Sequence, residues 1–283
     1  MLRCVSSVKF DVVFKVDKTN KTSKKSLTKL LTGNNLWHKD IKPHFFNQHA
    51  KGQQPDILFI ACSDSRVTPS VITNSELGQL FVMRNIANLI VPSDESMQAV
   101  VRYAVTHLKV KHIVICGHYG CGGVKAAMNI AESSSQIEQE LSAWLNPVVK
   151  LYKQNEDKLS TITDETKRYK TFVRINVEAQ VEKMLKLDAV RESHASSHQT
   201  QPFIHGAIYN IENGKIELLG DNQDSLKNEL DEIAIQEQLL MLTQKATSYN
   251  PFNFIGANLK ISLIQTALDD ITKQDKNISC ELK

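Results

Sequence analysis

Short, continuously apolar runs rich in β-branched residues alternate along the first half of the chain with longer stretches of mixed character. Three such runs, at 57–61, 80–83 and 112–116, each end in polar or glycine-rich residues. A run of this length without polar alternation is typical of a strand buried on both faces. The segment 96–108, between the last two runs, has helical spacing. The alternation predicts an α/β fold, a mainly parallel β-sheet flanked by helices.

The pattern continues beyond the third run. Gly122 and Gly123 open a predicted helix that reaches residue 130, and a helical zone follows over 136–190. Pro147 and the polar stretch 155–163 are expected to divide that zone. Strands are predicted at 202–210 and 215–219, joined by a tight turn, because Asn-Gly is a strong turn signal.

The two ends of the chain differ from this centre. Residues 1–26 offer little to bury and are interpreted as a flexible leader, with order expected to begin near Leu27. An N-terminal helical arm of one or two short amphipathic helices follows, interrupted at Gly33 and broken at Pro43. The domain is expected to occupy residues 27–220, and residues 221–283 are predicted to form a helical C-terminal appendage.

Composition excludes several classes of function. The chain has 34 basic and 31 acidic residues, a net charge of +3 and no basic stripe, so nucleic-acid binding is not indicated. No apolar run is long enough for a membrane span. Five cysteines in 283 residues do not make a disulfide framework. The cytoplasm is therefore the expected location, and an organellar presequence at the basic N-terminus is the alternative left open.

Chemistry-bearing residues follow two of the predicted strands. Cys62 ends the first run, and His118 and Cys121 come just after the third. If those strands are neighbours, two thiolates and one imidazole converge at one edge of the sheet. This donor set suits zinc, and three protein ligands leave a fourth position for water or substrate, as in catalytic sites. The competing interpretation is a buried core cysteine and an ordinary loop histidine.

Two further features accompany this cluster. Asp64 and Arg66 stand two apart in a segment expected to be extended, so their side chains can pair beside the metal site. An ordinary surface ion pair is the alternative. Cys116 lies inside the apolar run and is predicted to be buried and inert. The remaining histidines, among them His112 and His205, are expected to lack ligand-like partners.

Three blocks of sequence together resemble the β-carbonic anhydrases in order and spacing. They are Cys62-Ser63-Asp64-Ser65-Arg66, then Phe81-Val82-Met83-Arg84-Asn85-Ile86-Ala87-Asn88, then Cys116-Gly117-His118-Tyr119-Gly120-Cys121-Gly122-Gly123. The similarity extends from about Leu36 to Leu219.

The resemblance implies one zinc ion per chain on Cys62, His118 and Cys121, with Asp64 and Arg66 as a catalytic dyad. The implied reaction is reversible hydration of carbon dioxide to bicarbonate and a proton through a hydroxide on zinc. If the dyad opened, Asp64 could take the place of that hydroxide.

The same resemblance implies a homodimer, or a tetramer of dimers, with active sites at the interface. Gln53 and Gly122 are the candidate substrate-binding residues, and the match of Gln53 rests on Gln53-x-Pro55 alone. A second, inhibitory bicarbonate site of some family members corresponds to Phe59, Arg84 and Tyr209. Phenylalanine replaces the family's tryptophan there and lacks its N–H donor.

Three other functions remain open. The same site could hydrolyse carbon disulfide or carbonyl sulfide, since fold does not fix the substrate. A non-catalytic zinc or bicarbonate-sensing module would be expected to lack Asp64 or Arg66. A redox sensor would need a resolving cysteine near Cys121, and Cys116 is predicted to be buried.

Overall fold

A computed structural model of the chain describes residues 21–133, 136–196 and 201–220. The predicted helices of the C-terminal appendage, at 221–283, lie outside the described residues, as do residues 1–20 of the predicted leader. Within the described part, no helix combines the length and apolar character needed to cross a bilayer.

Five strands form one sheet in the order β2-β1-β3-β4-β5. The first four are parallel, and β5 runs antiparallel to β4, which confirms the predicted α/β fold with a mainly parallel sheet. Their bounds are β1 Ile57–Cys62, β2 Leu80–Asn85, β3 His112–His118, β4 Phe203–Asn210 and β5 Lys215–Leu219. The predicted turn joins the last two strands, and Gly214 adopts a φ of 72° that favours glycine.

Nine α-helices lie among the described residues. They are α1 Lys21–Asp40, α2 Pro43–His49, α3 Pro69–Ile72, α4 Glu95–Arg102, α5 Gly122–Ser133, α6 Gln139–Gln154, α7 Glu156–Ser160, α8 Glu165–Leu185 and α9 Asp188–Ala195. The last turns after α4 are π-helical, over Tyr103–Leu108.

The two faces of the sheet are covered differently. One face carries Leu58, Ile60, Ile113 and Ile115, which pack against buried side chains of α4, α8 and α9. The opposite face carries a smaller apolar cluster that includes Phe59, Ala61, Cys116 and Ala207. Val82 and Phe203 share this second face by register and are exposed.

Three predicted boundaries are corrected. Helix α1 begins at Lys21 and not at Leu27, and it continues through Gly33, whose helical cost of about 1 kcal/mol does not break a 20-residue helix. Pro147 lies inside α6, where its buried neighbours Leu145 and Val148 hold the helix against the core. The long helical zone divides at Asn155 and again over residues 161–164, in or next to the predicted polar stretch, and a third time at residues 186–187. Pro43 does separate the arm, because it begins α2 at a position that needs no N–H donor.

Candidate metal centre

The predicted zinc ligands come from the carboxyl ends of two neighbouring parallel strands. Cys62 is the last residue of β1, and His118 is the last residue of β3, which pairs with β1. The chain then turns through Gly120, whose φ of 75° favours glycine, and returns Cys121 beside the strand ends just before α5. The sequence prediction that these strands are neighbours is confirmed.

The three side chains form a compact, buried cluster. Their ligand atoms all lie within 4.8 Å of one another, and the two sulfurs are 3.9 Å apart. Two sulfurs bound to one zinc ion at ~2.3 Å in a tetrahedron would be ~3.8 Å apart. The donor set and its spacing therefore fit zinc with little movement of either cysteine.

His118 is held in the orientation that a metal ligand needs. Its Nδ1 lies 3.0 Å from the carbonyl oxygen of Tyr119 and donates to it, which assigns the proton to Nδ1 and a lone pair to Nε2. Nε2 is fully buried and has no hydrogen-bond partner among the described residues. A buried nitrogen acceptor without a donor is costly, and a metal ion is the group that would satisfy it.

The two thiols share one proton. The hydrogen bond from Cys121 lowers the pKa of Cys62 below that of an ordinary thiol, against the opposing effect of burial. The contact with Cys62 and burial raise the pKa of Cys121, because a second ionisation would place two negative charges together. A bound dication would offset this repulsion.

Asp64 and Arg66 are paired at the rim of the cluster. Arg66 donates from Nε to Oδ1 at 2.9 Å and from Nη2 to Oδ2 at 2.7 Å, and Nη2 also reaches the carbonyl of Gly120 at 3.1 Å. The Arg66 side chain holds the pKa of Asp64 well below its usual range. Asp64 Oδ2 lies 3.9 Å from His118 Nε2.

The backbone that makes this pairing was predicted wrongly. The segment is a turn and not an extended strand, because the Val67 N–H donates to the Asp64 carbonyl at 2.9 Å. The Arg66 N–H also donates to Asp64 Oδ1 at 3.0 Å. Such a side-chain-to-backbone bond is a common aspartate turn, and it brings positions i and i+2 together.

Arg84 binds the backbone beside the cluster. Its Nε donates to the carbonyl of Cys62 at 3.0 Å and its Nη2 to the carbonyl of Asp64 at 2.7 Å. Phe59 and Tyr209 lie on the same sheet face by register, and Phe59 is buried. Arg84 therefore ties down the segment that bears a ligand and the dyad carboxylate.

The two candidate substrate-binding residues lie apart from each other. Gln53 is exposed before β1, at the opposite end of the strand from Cys62, and a six-residue strand spans ~20 Å. Gly122 is the first residue of α5 and is exposed. It lines an open cleft of about 470 Å³ together with Cys121, Lys125 and Tyr169, among others.

The buried cysteine Cys116 and two of the other histidines were also assigned from the sequence. Cys116 is buried as predicted, and burial raises the pKa of its thiol to about 12. His112 and His205 join no group of three possible metal ligands among the described residues, as expected, but they contact each other, with His112 Nδ1 3.0 Å from His205 Nε2 across β3 and β4. Their positions are diagonal neighbours in the register of these strands. The two histidines meet because of the register between β3 and β4, and the sequence of each strand alone does not show that register.

Sequence reasoning also missed residues that surround the ligands. The Tyr169 hydroxyl donates to the Cys121 carbonyl at 3.1 Å, and Trp144 Nε1 donates to the Ile86 carbonyl at 2.9 Å. Both lie on helices far along the chain from the motifs. Their residue types alone gave no signal for this role.

Comparisons with known proteins agree on one family. The sequence model described as carbonic anhydrase matches residues 57–216. A carbonic anhydrase of Emericella nidulans is 39% identical over 189 residues, which are 66% of this chain and 80% of that protein. One of Synechococcus elongatus is 34% identical and aligns over 63% of this chain and 64% of its own length.

Solved structures give the same result. A structure from a study of two tetrameric β-carbonic anhydrases of Sordaria macrospora is 38% identical, with a TM-score of 0.65, and the match covers 70% of this chain and 98% of that one. The Coccomyxa β-carbonic anhydrase in complex with acetazolamide is 32% identical, with a TM-score of 0.62, and the match covers 68% and 86%.

Proposed function

Because this chain belongs to the β-carbonic anhydrase family, we propose that it hydrates carbon dioxide reversibly to bicarbonate and a proton, with one zinc ion per chain on Cys62, His118 and Cys121. The observation that carries the proposal is the buried His118 Nε2, which has no hydrogen-bond partner among the described residues and faces the two thiols. When bound, zinc would acidify a coordinated water and so supply the nucleophile.

Asp64 is proposed to orient that nucleophile. Its carboxylate stays ionised because two side-chain hydrogen bonds from Arg66 stabilise the charged form. An ionised carboxylate is an acceptor only, so it would take a hydrogen bond from water and direct a lone pair toward the carbon of the substrate. Arg66, held in turn by the Gly120 carbonyl, keeps the carboxylate at the rim of the cluster.

A homodimer, or a tetramer of dimers, is proposed as the active assembly. Helix α1 exposes an apolar set that a lone subunit would leave in water: Leu27, Leu30, Leu31, Leu36 and Trp37. Contiguous exposed apolar surface of this kind marks a protein interface. Gln53 lies too far from its own Cys62 to reach substrate there, so it is proposed to act in the partner's site.

The cytoplasm is the proposed location.

Each rival function would make its own demand on the residues of the site. A sensor that lacks the dyad is disfavoured, because Asp64 and Arg66 are both present and paired. Hydrolysis of carbon disulfide or carbonyl sulfide would use the same residues and gains no support from any contact described above.

The test combines zinc content with carbon dioxide hydration in three purified proteins. The wild type is expected to carry about one zinc ion per chain and to be active, and Cys62→Ser is expected to lose both. Cys116→Ala is the matched control, because it removes a buried thiol of the neighbouring strand that is not a ligand. Full zinc content with carbon disulfide hydrolysis but no hydration would favour the sulfur substrate and overturn the proposal.

A further inference from the structure

The turn after β2 has an unusual backbone. Ala87 and Asn88 adopt φ angles of 65° and 50°, in the left-handed region, although both carry a Cβ. Ala87 is fully buried in the cluster that also contains Cys62 and Cys121. A side chain raises the energy of this conformation, so the surrounding structure must hold the turn in place.

Side chains bind the turn along its length. Trp144 Nε1 donates to the Ile86 carbonyl at 2.9 Å, and Asn176 Nδ2 donates to the Ala87 carbonyl at 3.2 Å. Asn85 bonds the N–H and carbonyl of Leu89. The turn therefore accepts or makes hydrogen bonds with side chains of β2, α6 and α8.

Asn176 and Gln180 form a buried amide pair one turn apart on α8. Both are 1% exposed. Gln180 Nε2 donates to Asn176 Oδ1 at 3.0 Å, and Gln180 Oε1 accepts from the Ile90 N–H at 2.9 Å. Gln180 thus orients Asn176 and holds the segment just after the turn. Buried amides with this many partners fix a unique geometry.

The turn packs between the two cysteine-bearing segments. Ala87 lies in the same buried cluster as Cys62, and the N–H of Ser63, the residue after Cys62, donates to the carbonyl of Asn85 at 2.9 Å. On the other side, a Cβ added to Gly123 would lie 2.7 Å from Ile86 Cγ2 and 3.3 Å from Ala87 Cβ. A shift of the turn would therefore alter the surroundings of Cys62 and the start of α5 beside Cys121.

We propose that Asn176 and Gln180 are positioning residues of the metal centre, which hold Ala87 in its left-handed conformation and so keep the turn packed between Cys62 and the start of α5 beside Cys121. The inference rests on the proposed metal site. Contacts that orient metal ligands from outside the ligand set typically change metal affinity 10- to 100-fold.

Cobalt-substituted protein offers the direct test. Asn176→Leu and Gln180→Met keep similar volume and remove the amides. Each is expected to shift the sulfur-to-cobalt charge-transfer band and to release cobalt to a chelator about tenfold faster or more. Val173→Ala is the matched control, because Val173 is buried on the same helix and has no polar side-chain group that could bond to the turn. It is expected to lower Tm and leave the band unchanged.

The outcomes separate this inference from the proposed function. If both amide variants keep the wild-type charge-transfer band and the wild-type rate of cobalt release, the positioning role is overturned. It is also overturned if Val173→Ala shows the same changes in band and release rate at an equal loss of Tm. If Asn176→Leu does not fold, Gln180→Met decides by the same criteria. A wild type that takes up no cobalt at the cysteines would overturn the metal site and this inference together.

Discussion

At the scale of single residues, Asp64 has the contacts that bear most directly on the reaction. Both of its oxygens accept hydrogen bonds from Arg66, and Oδ2 still lies 3.9 Å from the free nitrogen of His118. The carboxylate is therefore fixed and charged beside the metal ligands without being one of them. A group in this position can accept a hydrogen bond from a water and orient it.

Asp64→Asn keeps the shape of the side chain and removes its charge. We expect kcat/KM for carbon dioxide hydration to fall about 100-fold or more, because general acid–base groups contribute about 10²- to 10⁴-fold. Zinc content and Tm should stay near those of the wild type. Asp56→Asn is the control, since Asp56 pairs with Lys111 on the surface. Equal activity of the two variants would refute a catalytic role for Asp64.

Residue type and position along a strand were enough to single out the residues of the buried cluster that is proposed to bind zinc. Cys62 and His118 stand where apolar runs end, and the chemistry of sulfur and imidazole indicates zinc. The contacts of Arg84 were not predictable in the same way. They depend on the register that places Arg84 opposite Ala61, beside the carbonyl of Cys62. Register is a property of two paired strands and not of either alone.

At the scale of elements, the start of α5 is packed tightly against the turn after β2. Gly122 and Gly123 follow the ligand Cys121 directly, yet their surroundings differ. A Cβ on Gly123 would meet Ile86 at 2.7 Å, whereas a Cβ on Gly122 would meet nothing within 4 Å. Only the second glycine is required for the close approach of these two elements.

Gly123→Ala is therefore expected to lower the free energy of unfolding by about 1 to 3 kcal/mol, the usual cost of overpacking. Gly122→Ala is the matched substitution one residue earlier, and it should be neutral or slightly stabilising because alanine favours a helix. Urea denaturation of the zinc-loaded proteins measures both. A Gly123→Ala variant as stable as Gly122→Ala would show that the turn can move away.

The histidine pair across β3 and β4 makes stability depend on pH. Burial, with the adjacent His112, lowers the pKa of His205 from 6.5. The unfolded chain therefore takes up this proton more readily than the folded protein does. The stabilisation from neutral His205 is complete above about pH 6.5 and is lost as pH falls through the lower folded pKa.

In His205→Gln, the free energy of unfolding should decline less between pH 7.5 and pH 5.5 than it does in the wild type. His107→Gln is the control, since His107 is exposed, and it should keep the wild-type pH dependence. Urea denaturation at the two pH values measures the difference. An identical decline in all three proteins would contradict the assignment to His205.

Hydrophobic pattern predicted the elements well where burial decides them. The three apolar runs became β1, β2 and β3. The strands β1 and β3 are largely buried, as a continuous apolar run predicts, whereas β2 is the edge strand of the sheet and exposes Val82. Single glycine and proline residues were less reliable signals of where a helix ends. Gly33 and Pro147 did not end helices, since their local cost was outweighed by the rest of α1 and by the packing of α6.

At the scale of the whole molecule, apolar surface remains on the subunit. Helix α1 exposes Leu27 and Leu31 one turn apart, and the second sheet face exposes Val82 and Phe203. The sequence predicted an amphipathic arm but not what covers it, because an apolar stripe has the same pattern whether it packs on its own core or on another subunit.

The double variant Leu27→Glu with Leu31→Glu is expected to shift the assembly toward monomers and to lower hydration activity at low protein concentration. Thr28→Glu with Thr32→Glu adds the same charges to the same helix at positions that are already polar, and it should leave the assembly intact. Sedimentation velocity measures the distribution. Dimers that persist in the leucine variant would exclude α1 from the interface.

The most direct measurement is carbon dioxide hydration by stopped flow at pH 8.5, with zinc determined in the same sample of purified protein. We expect about one zinc ion per chain and a kcat/KM of about 10⁴ M⁻¹ s⁻¹ or higher, within the range of ordinary enzymes. A protein that carries this zinc and does not accelerate hydration beyond the buffer would contradict it.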